Sequence, residues 1–505
     1  RIALDALREE FGNTNMIFMA FGKRGKSVFD PNTLALLWDV CRTLEELPEV
    51  DEVLSIATLN RMDSEEGFLE IGDLQPGRDL TLEEVDHIKA YLEKTPDMMK
   101  RVVGKHRDYL NVVIRPRNDA ANDVLRNKVV NVAAHYLQGY DVHFGGQGYL
   151  TGTIPALIRN DVIKLMRAGL IIMVLVLLVN LRSVPAVGMI LSVILLSLIA
   201  MLGFMGWVYR FTGSERFLFT MLNTSMPIIL LTIANSDGVH IITKFFREFR
   251  RRRNVNESVQ VAMNSLLLPV FLTSLTTMAA FLSMIFAPIE QMIGYGVSLS
   301  FGIAWAWFLS SIFLPALISV KKWKIDSRAV SHASVFESII GRFGTVVISH
   351  TRTVLSVGVV IVSAGIAGLF LLNIEVNIAT MFKPGTEIRD SIEFMDREMT
   401  GTMDLEIRVE GDLKAPATLN DMLAIQDYME QHPAVSTTIS IADVIKQMHR
   451  TVMDDDPAYE TIPDSREKVN NLFTLYSMSG DPDDFSSLVD YDYRTGLLTA
   501  LMGTI

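Results

Sequence analysis

Apolar residues fall into two patterns along this chain. Between positions 160 and 374 they form long uninterrupted runs. On either side they form short, strand-length runs and helical 3- and 4-residue spacings broken by polar stretches. The long runs set the architecture. The first covers 162–181, with Lys164 and Arg167 near its start, where long cationic side chains reach back to the interface. No charged residue occurs over 183–209, 258–289, 291–320 or 353–374, and Asp237 is the one charge over 217–243. As a helix, each run can cross a hydrocarbon core about 30 Å thick. The pattern predicts six membrane spans, since a large soluble enzyme rarely buries six such helices in series. Pro269 is expected to kink the fourth.

The flanks read as soluble α/β domains. Over 1–159 the pattern predicts helices at 2–11, 32–47, 81–93 and 119–138 and strands at 16–21, 53–59, 110–115 and 142–149. Leu34, Leu37, Trp38 and Cys41 mark the buried face of the second helix, and Pro48 stops it. Thr81 and Glu84 have capping-box spacing. The cluster Gly145-Gly146-Gln147-Gly148 lacks the Lys-Ser/Thr of a phosphate loop and reads as a hinge turn before the membrane.

A second domain begins near Glu375 and repeats the first. Pro48, Val50, Ser55, Ile56 and Ala57 recur as Pro433, Val435, Ser440, Ile441 and Ala442, each set following an amphipathic helix. Arg8-Glu9-Glu10-Phe11-Gly12 before one strand resembles Arg397-Glu398-Met399-Thr400-Gly401 before another. The expected organisation is a first external domain at 1–159, a five-helix bundle at 160–320 and a cytoplasmic linker at 321–352. The first helix of a second membrane half follows at 353–374, then an incomplete second external domain at 375–505. The repeat predicts that the chain is a fragment of a twelve-span parent, with one span before Arg1 and five after Ile505.

Charge sharpens this picture. Residues 1–159 carry a net −6, residues 160–374 a net +9 and residues 375–505 a net −15. The loops after the first, third and fifth spans hold most of the span-flanking Lys and Arg, including the four arginines at 250–253, so they are expected in the cytoplasm. Both acidic domains then lie on the opposite face. The basic run reads as a topogenic, headgroup-contacting loop rather than a nucleic-acid patch. With Cys41 as the single cysteine, no internal disulfide can form.

Candidate chemistry centres on Asn235-Ser236-Asp237-Gly238-Val239-His240. A carboxylate at mid-bilayer costs a few kcal/mol or more (about 2.5–3.5 on insertion scales), so it marks a functional site by default. His240 follows three residues on, as Asp237's partner or the next proton stop. Asn235 and Ser236 can orient the carboxylate, and Thr273, Ser274, Thr276 and Thr277 of the next span can face it or merely link helices. No Walker motif is present. The histidines of the external domains, among them His87, His106, His135, His143 and His432, form no HExxH, and no G-x-S-x-G occurs, which argues against an enzyme. The acidic runs at 454–456 and 481–484 lack the EF-hand pattern.

These residues resemble the resistance-nodulation-division (RND) superfamily, and within it the MMPL-type, sterol-sensing-domain-like exporters. The similarity lies in Asp237 followed by Arg247-Glu248, in Pro269 with Thr273-Ser274 and Thr276-Thr277, in Gly294 and Gly296, and in Leu314-Pro315-Ala316. It implies a polytopic α-helical membrane protein with two external split βαβ, porter-like domains and a pseudo-two-fold repeat. It also implies proton-driven export of hydrophobic or amphiphilic molecules from a bacterial inner membrane, with protons as the coupling ion and no other cofactor. Membrane lipids are expected partners, together with the periplasmic or outer-membrane proteins that some relatives need. Many relatives have Asp-Tyr where this chain has Asp237-Gly238, so the tyrosine's role does not transfer. The competing reading is a lipid- or sterol-sensing protein that does not pump.

Overall fold

The computed structural model describes residue 7 and residues 10–65, 68–324, 343–373, 377, 379–480 and 485–503. Most of the predicted 2–11 helix, including Arg8-Glu9, the acidic run 481–484 and most of the 321–352 linker lie outside the described residues. The chain divides into two compact units. One joins Arg1–Thr153 to Glu375–Ile505 and the other holds Ile154–Ile374.

The first lobe of the α/β unit starts with β1 (Ile17–Gly22), α1 (Pro31–Glu45) and β2 (Val50–Leu54). A hairpin, β3 (Asn60–Glu65) and β4 (Phe68–Asp73), and helices α2 (Leu82–Lys94) and α3 (Pro96–Val102) come next. The lobe closes with β5 (Tyr109–Pro116), α4 (Asn122–Tyr136) and β6 (Asp141–Gly145). Its four-stranded sheet has the order β2-β5-β1-β6, antiparallel throughout, which is a split βαβ arrangement. Every residue of central β1 is buried. The helices start where local chemistry allows. Asp30 accepts from the Asn32 and Thr33 amides ahead of α1, and Thr81 and Glu84 form a reciprocal capping box on α2.

Two local expectations change. The predicted 53–59 strand ends at Leu54, because the Ser55 and Thr58 hydroxyls take up the backbone in a tight turn, and the polar β3–β4 hairpin follows. The glycine cluster is no hinge turn: Gly146 opens α5 (Gly146–Leu181), a 36-residue helix that contains Pro155. Packing explains the glycines. Gly146 has φ +86°, and a Cβ there would lie 2.4 Å from the Met16 carbonyl oxygen.

The helical unit continues with α6 (Val184–Thr212), α7 (Met226–Arg252), α8 (Val255–Leu282) and α9 (Glu290–Phe308). A single π turn, Leu309–Phe313, joins α9 to α10 (Leu314–Val320), and α11 (Thr351–Leu369) stands last. Six helical stretches are long and apolar enough to cross a membrane, which makes this a polytopic membrane protein. Ile190, Met201, Leu230, Ala234, Phe245, Ile303 and Leu314 belong to its buried core, whereas no described residue of α11 is buried.

The second lobe comprises α12 (Glu387–Glu398), β7 (Met403–Glu410), α13 (Pro416–Glu430), β8 (Val435–Ile439), α14 (Ile441–Val452), α15 (Arg466–Ser479) and β9 (Thr495–Met502). Its sheet is β7-β9-β8, again antiparallel. The lobes touch through ionic and aromatic contacts. Arg408 forms a bidentate pair with Glu10 (2.7 and 2.8 Å), and the Phe394 ring of α12 stacks on His143 of β6 with centroids 3.7 Å apart.

Candidate functional site

Asp237 sits at the middle of α7, which begins with Pro227 in its first turn and ends beyond Arg252. The side chain is 7% exposed. It has one hydrogen-bond donor among the described residues: the Ser274 hydroxyl of α8, at 3.2 Å from Oδ2. Gly238, the next residue, lets α6 approach. A Cβ there would lie 3.1 Å from Ile190 Cγ1. The carboxyl is thus held between packed helices, away from any Lys or Arg salt bridge. A carboxylate stripped of water and given one hydroxyl in return is under-compensated, which is the condition for a group that gains and loses a proton.

The other predicted site residues are distributed differently. His240 follows on the same helix, but its side chain is exposed and makes no hydrogen bond to the Asp237 carboxylate. Three residues along a helix leave two side chains about 60° apart, which here separates a buried position from an outward one. Ser236 is also exposed, and the Asn235 Oδ1 is buried without a hydrogen-bond partner among the described residues. In α8, Thr273 donates to the Val270 carbonyl, Thr276 to Leu272 and Thr273, and Thr277 to Thr273. These three hydroxyls are spent on their own helix. Of the eight residues, the structure joins Asp237 to Ser274.

A second buried carboxylate, Glu248, lies three turns further along α7. Lys244 at 3.5 Å and Arg252 at 3.3 Å flank it, each four residues away, and Arg252 also reaches Glu257 at 2.5 Å. The signal was in the sequence, as a Lys-x3-Glu-x3-Arg spacing that a helix turns into one ionic ladder. Trp323 closes this end by packing its ring against Phe245 and Phe246, with its indole N–H on the Ile318 carbonyl.

The sequence profile of the MMPL family matches residues 4–353, a stretch that contains α5 to α10 and both carboxylates. The chain belongs to the MMPL family. This is a family of transporters within the RND type, as the motif around Asp237 implies. The chain is also similar to a Methanocaldococcus jannaschii protein named as a membrane protein, MJ1562. The two are 22% identical over 326 residues, which is 63% of this chain and 80% of that protein.

Proposed function

We propose that this MMPL protein exports hydrophobic or amphiphilic, lipid-like molecules and draws the work from a proton gradient. The carrying observation is Asp237: a mid-membrane carboxyl packed among helices, with the Ser274 hydroxyl as its donor and no cation bonded to it. Its two protonation states would favour different helix packings, and proton flow would cycle the unit between them. His240 is the proposed next stop for the proton, reached through motion or water rather than a direct bond. Protons are then the coupling ion, with no further cofactor.

The α/β unit supports an amphiphilic cargo. A cleft of about 220 Å³ between its lobes has apolar walls, among them Phe18, Leu54, Val113 and Leu501, with Arg101 and Arg115 also lining it. Apolar walls with a few placed polar groups suit a chain with a headgroup. We place this unit outside a bacterial inner membrane and the basic loops in the cytoplasm, on the Lys/Arg bias. We also read the two lobes as a pseudo-repeat. α1 and α13 are both 15 residues long with Pro at the start, and the strands after them, β2 and β8, bulge at corresponding positions, between Val50 and Glu52 and between Val435 and Thr437. Membrane lipids, and partner proteins spanning to an outer membrane, are the proposed partners.

The test is gradient-dependent efflux of a lipophilic dye and of a fluorescent phospholipid from vesicles holding the protein. Wild type should move at least one probe only when a pH gradient is imposed, and Asp237→Asn should abolish that movement while remaining folded. Gradient-dependent movement that survives in the variant refutes the reading.

A further inference from the structure

Two contacts keep α7 and α9 in step. The Ser225 hydroxyl just before α7 lies 3.0 Å from the Tyr295 hydroxyl, and Leu230 packs where a Cβ on Gly302 would sit. The helices run parallel, so seven residues further along each, Asp237 comes level with Leu309. There the α-helix gives way to the π turn Leu309–Phe313. Isolated π turns in otherwise regular helices are frequent at functional sites, because the widened turn exposes backbone groups that an α-helix would pair.

Ser310 is where that exposure concentrates. Its side chain is fully buried, and its hydroxyl has no hydrogen-bond partner among the described residues. Its carbonyl loses two ordinary donors as well: the Leu314 amide donates to Leu309, and Pro315 has no N–H. Two orphaned polar groups on one residue, inside a membrane bundle, call for water. Unpaired, each would cost about 1–3 kcal/mol. Further polar atoms without partners among the described residues flank this level: Ser311 Oγ and Trp307 Nε1 beside it, Asn235 Oδ1 on α7, and Ser298 Oγ and Asn223 Oδ1 toward the starts of α9 and α7. Beyond Ser310 in the other direction the buried residues of α7 and α10 (among them Ile241, Phe245, Leu314 and Ile318) are apolar as far as the ion-paired Glu248. Ser310 is the fully buried member of this set level with Asp237.

We propose that the π turn at Leu309–Phe313 forms an internal water site, anchored by Ser310, through which the Asp237 carboxyl exchanges its proton. In each exchange the carboxyl O–H bond breaks as a water oxygen takes the proton, and that water passes one of its own protons to a further water. Ser310 is a positioning residue, since it holds the water and does not take up the proton. This inference rests on the proposed role of Asp237.

The test reads water access to that carboxyl directly. The protein in lipid nanodiscs is protonated at low pH and moved from H2O to D2O, and the exchange of the carboxylic C=O infrared band is timed. Asp237→Asn assigns the band by removing it. Ser310→Ala should slow the exchange by about tenfold or more, and Ser310→Thr, which keeps the hydroxyl, should restore it. Thermal unfolding of each variant separates this from misfolding. Exchange in Ser310→Ala as fast as in wild type overturns the water site while leaving the transport reading intact. If no band disappears in Asp237→Asn, the carboxyl is never protonated, and both fall together.

Discussion

Two buried carboxylates on α7 meet opposite fates. Glu248 is clasped by Lys244 and Arg252, one turn to each side, and Arg252 is anchored in turn by Glu257. Asp237 has the Ser274 hydroxyl and no bonded cation. Both are less than a tenth exposed. Burial alone therefore does not distinguish a structural carboxylate from the one proposed to carry the proton. A carboxylate whose charge is balanced on both sides is held in that state, because neutralising it would give up its pairing with both cations. A carboxylate with one neutral donor has no such lock, and its proton can come and go with small changes in packing.

The largest expected effect breaks this comparison outright. Asp237→Asn should lower gradient-driven transport by about a hundredfold or more, roughly 3 kcal/mol of lost coupling. Glu248→Gln should leave coupling in place, with transport still collapsing when the gradient is dissipated. Its expected effect is on stability instead. Lys244 and Arg252 are partly exposed and Arg252 keeps Glu257, so the loss should be about 1 kcal/mol, read as a lower unfolding midpoint in detergent. If Glu248→Gln uncouples transport and Asp237→Asn does not, the two roles are reversed.

Ser274 sharpens the contrast within one helix. It and Thr277 carry hydroxyls three residues apart on α8, but Ser274 faces Asp237 and Thr277 bonds its own backbone. Ser274→Ala should slow gradient-driven transport about tenfold, the worth of a hydrogen bond to a charged group. Thr277→Val should change it by less than about twofold, since its hydroxyl only competes for a helical carbonyl. Equal effects from both would mean that the polar residues of α8 act as general helix contacts.

This pair also shows where the sequence is silent. Asp237 was legible because it breaks an otherwise uncharged run, and lipid gives such a break one bland explanation fewer than water does. The six spans were legible for the same reason: in a bilayer, only a helix satisfies the backbone of a long apolar run. The choice of Ser274 over Thr273, Thr276 and Thr277 was not legible. It depends on the rotation of α8 against α7, and neither helix encodes that alone. The separation of His240 from Asp237 depends on how α7 is turned against its neighbours, which buries one position and leaves the other outward. The β3–β4 hairpin escaped because its residues, Asn60 to Glu65 on one strand, lack the alternation that marks a half-buried strand. The Ser310 π turn left only a faint mark, two serines shortly before Pro315.

The smallest predicted effect extends the comparison to a titratable group outside the helical unit. His143 of β6 is sandwiched against Phe394 of α12, with Tyr109 edge-on to the same phenyl ring. Burial holds the imidazole below the ordinary histidine value, and the Arg397 charge adds to this, while Asp141 and Asp390 oppose it. The unfolded chain therefore binds this proton more readily than the folded one, so stability rises with pH across the window. The full contribution is present above the ordinary value of about 6.5 and is lost as pH falls from there through the lowered one. Mild acidification should lower the unfolding midpoint of the α/β unit, measured by circular dichroism on the full chain in detergent. His143→Leu, which keeps an apolar face against Phe394 without a titrating nitrogen, should flatten that part of the pH profile. It should cost about 1 kcal/mol at neutral pH from the lost stacking. Like Glu248, and unlike the role proposed for Asp237, His143 then belongs to the scaffold: its proton changes how firmly the lobes hold together, and gradient-driven transport at neutral pH should persist in the leucine variant.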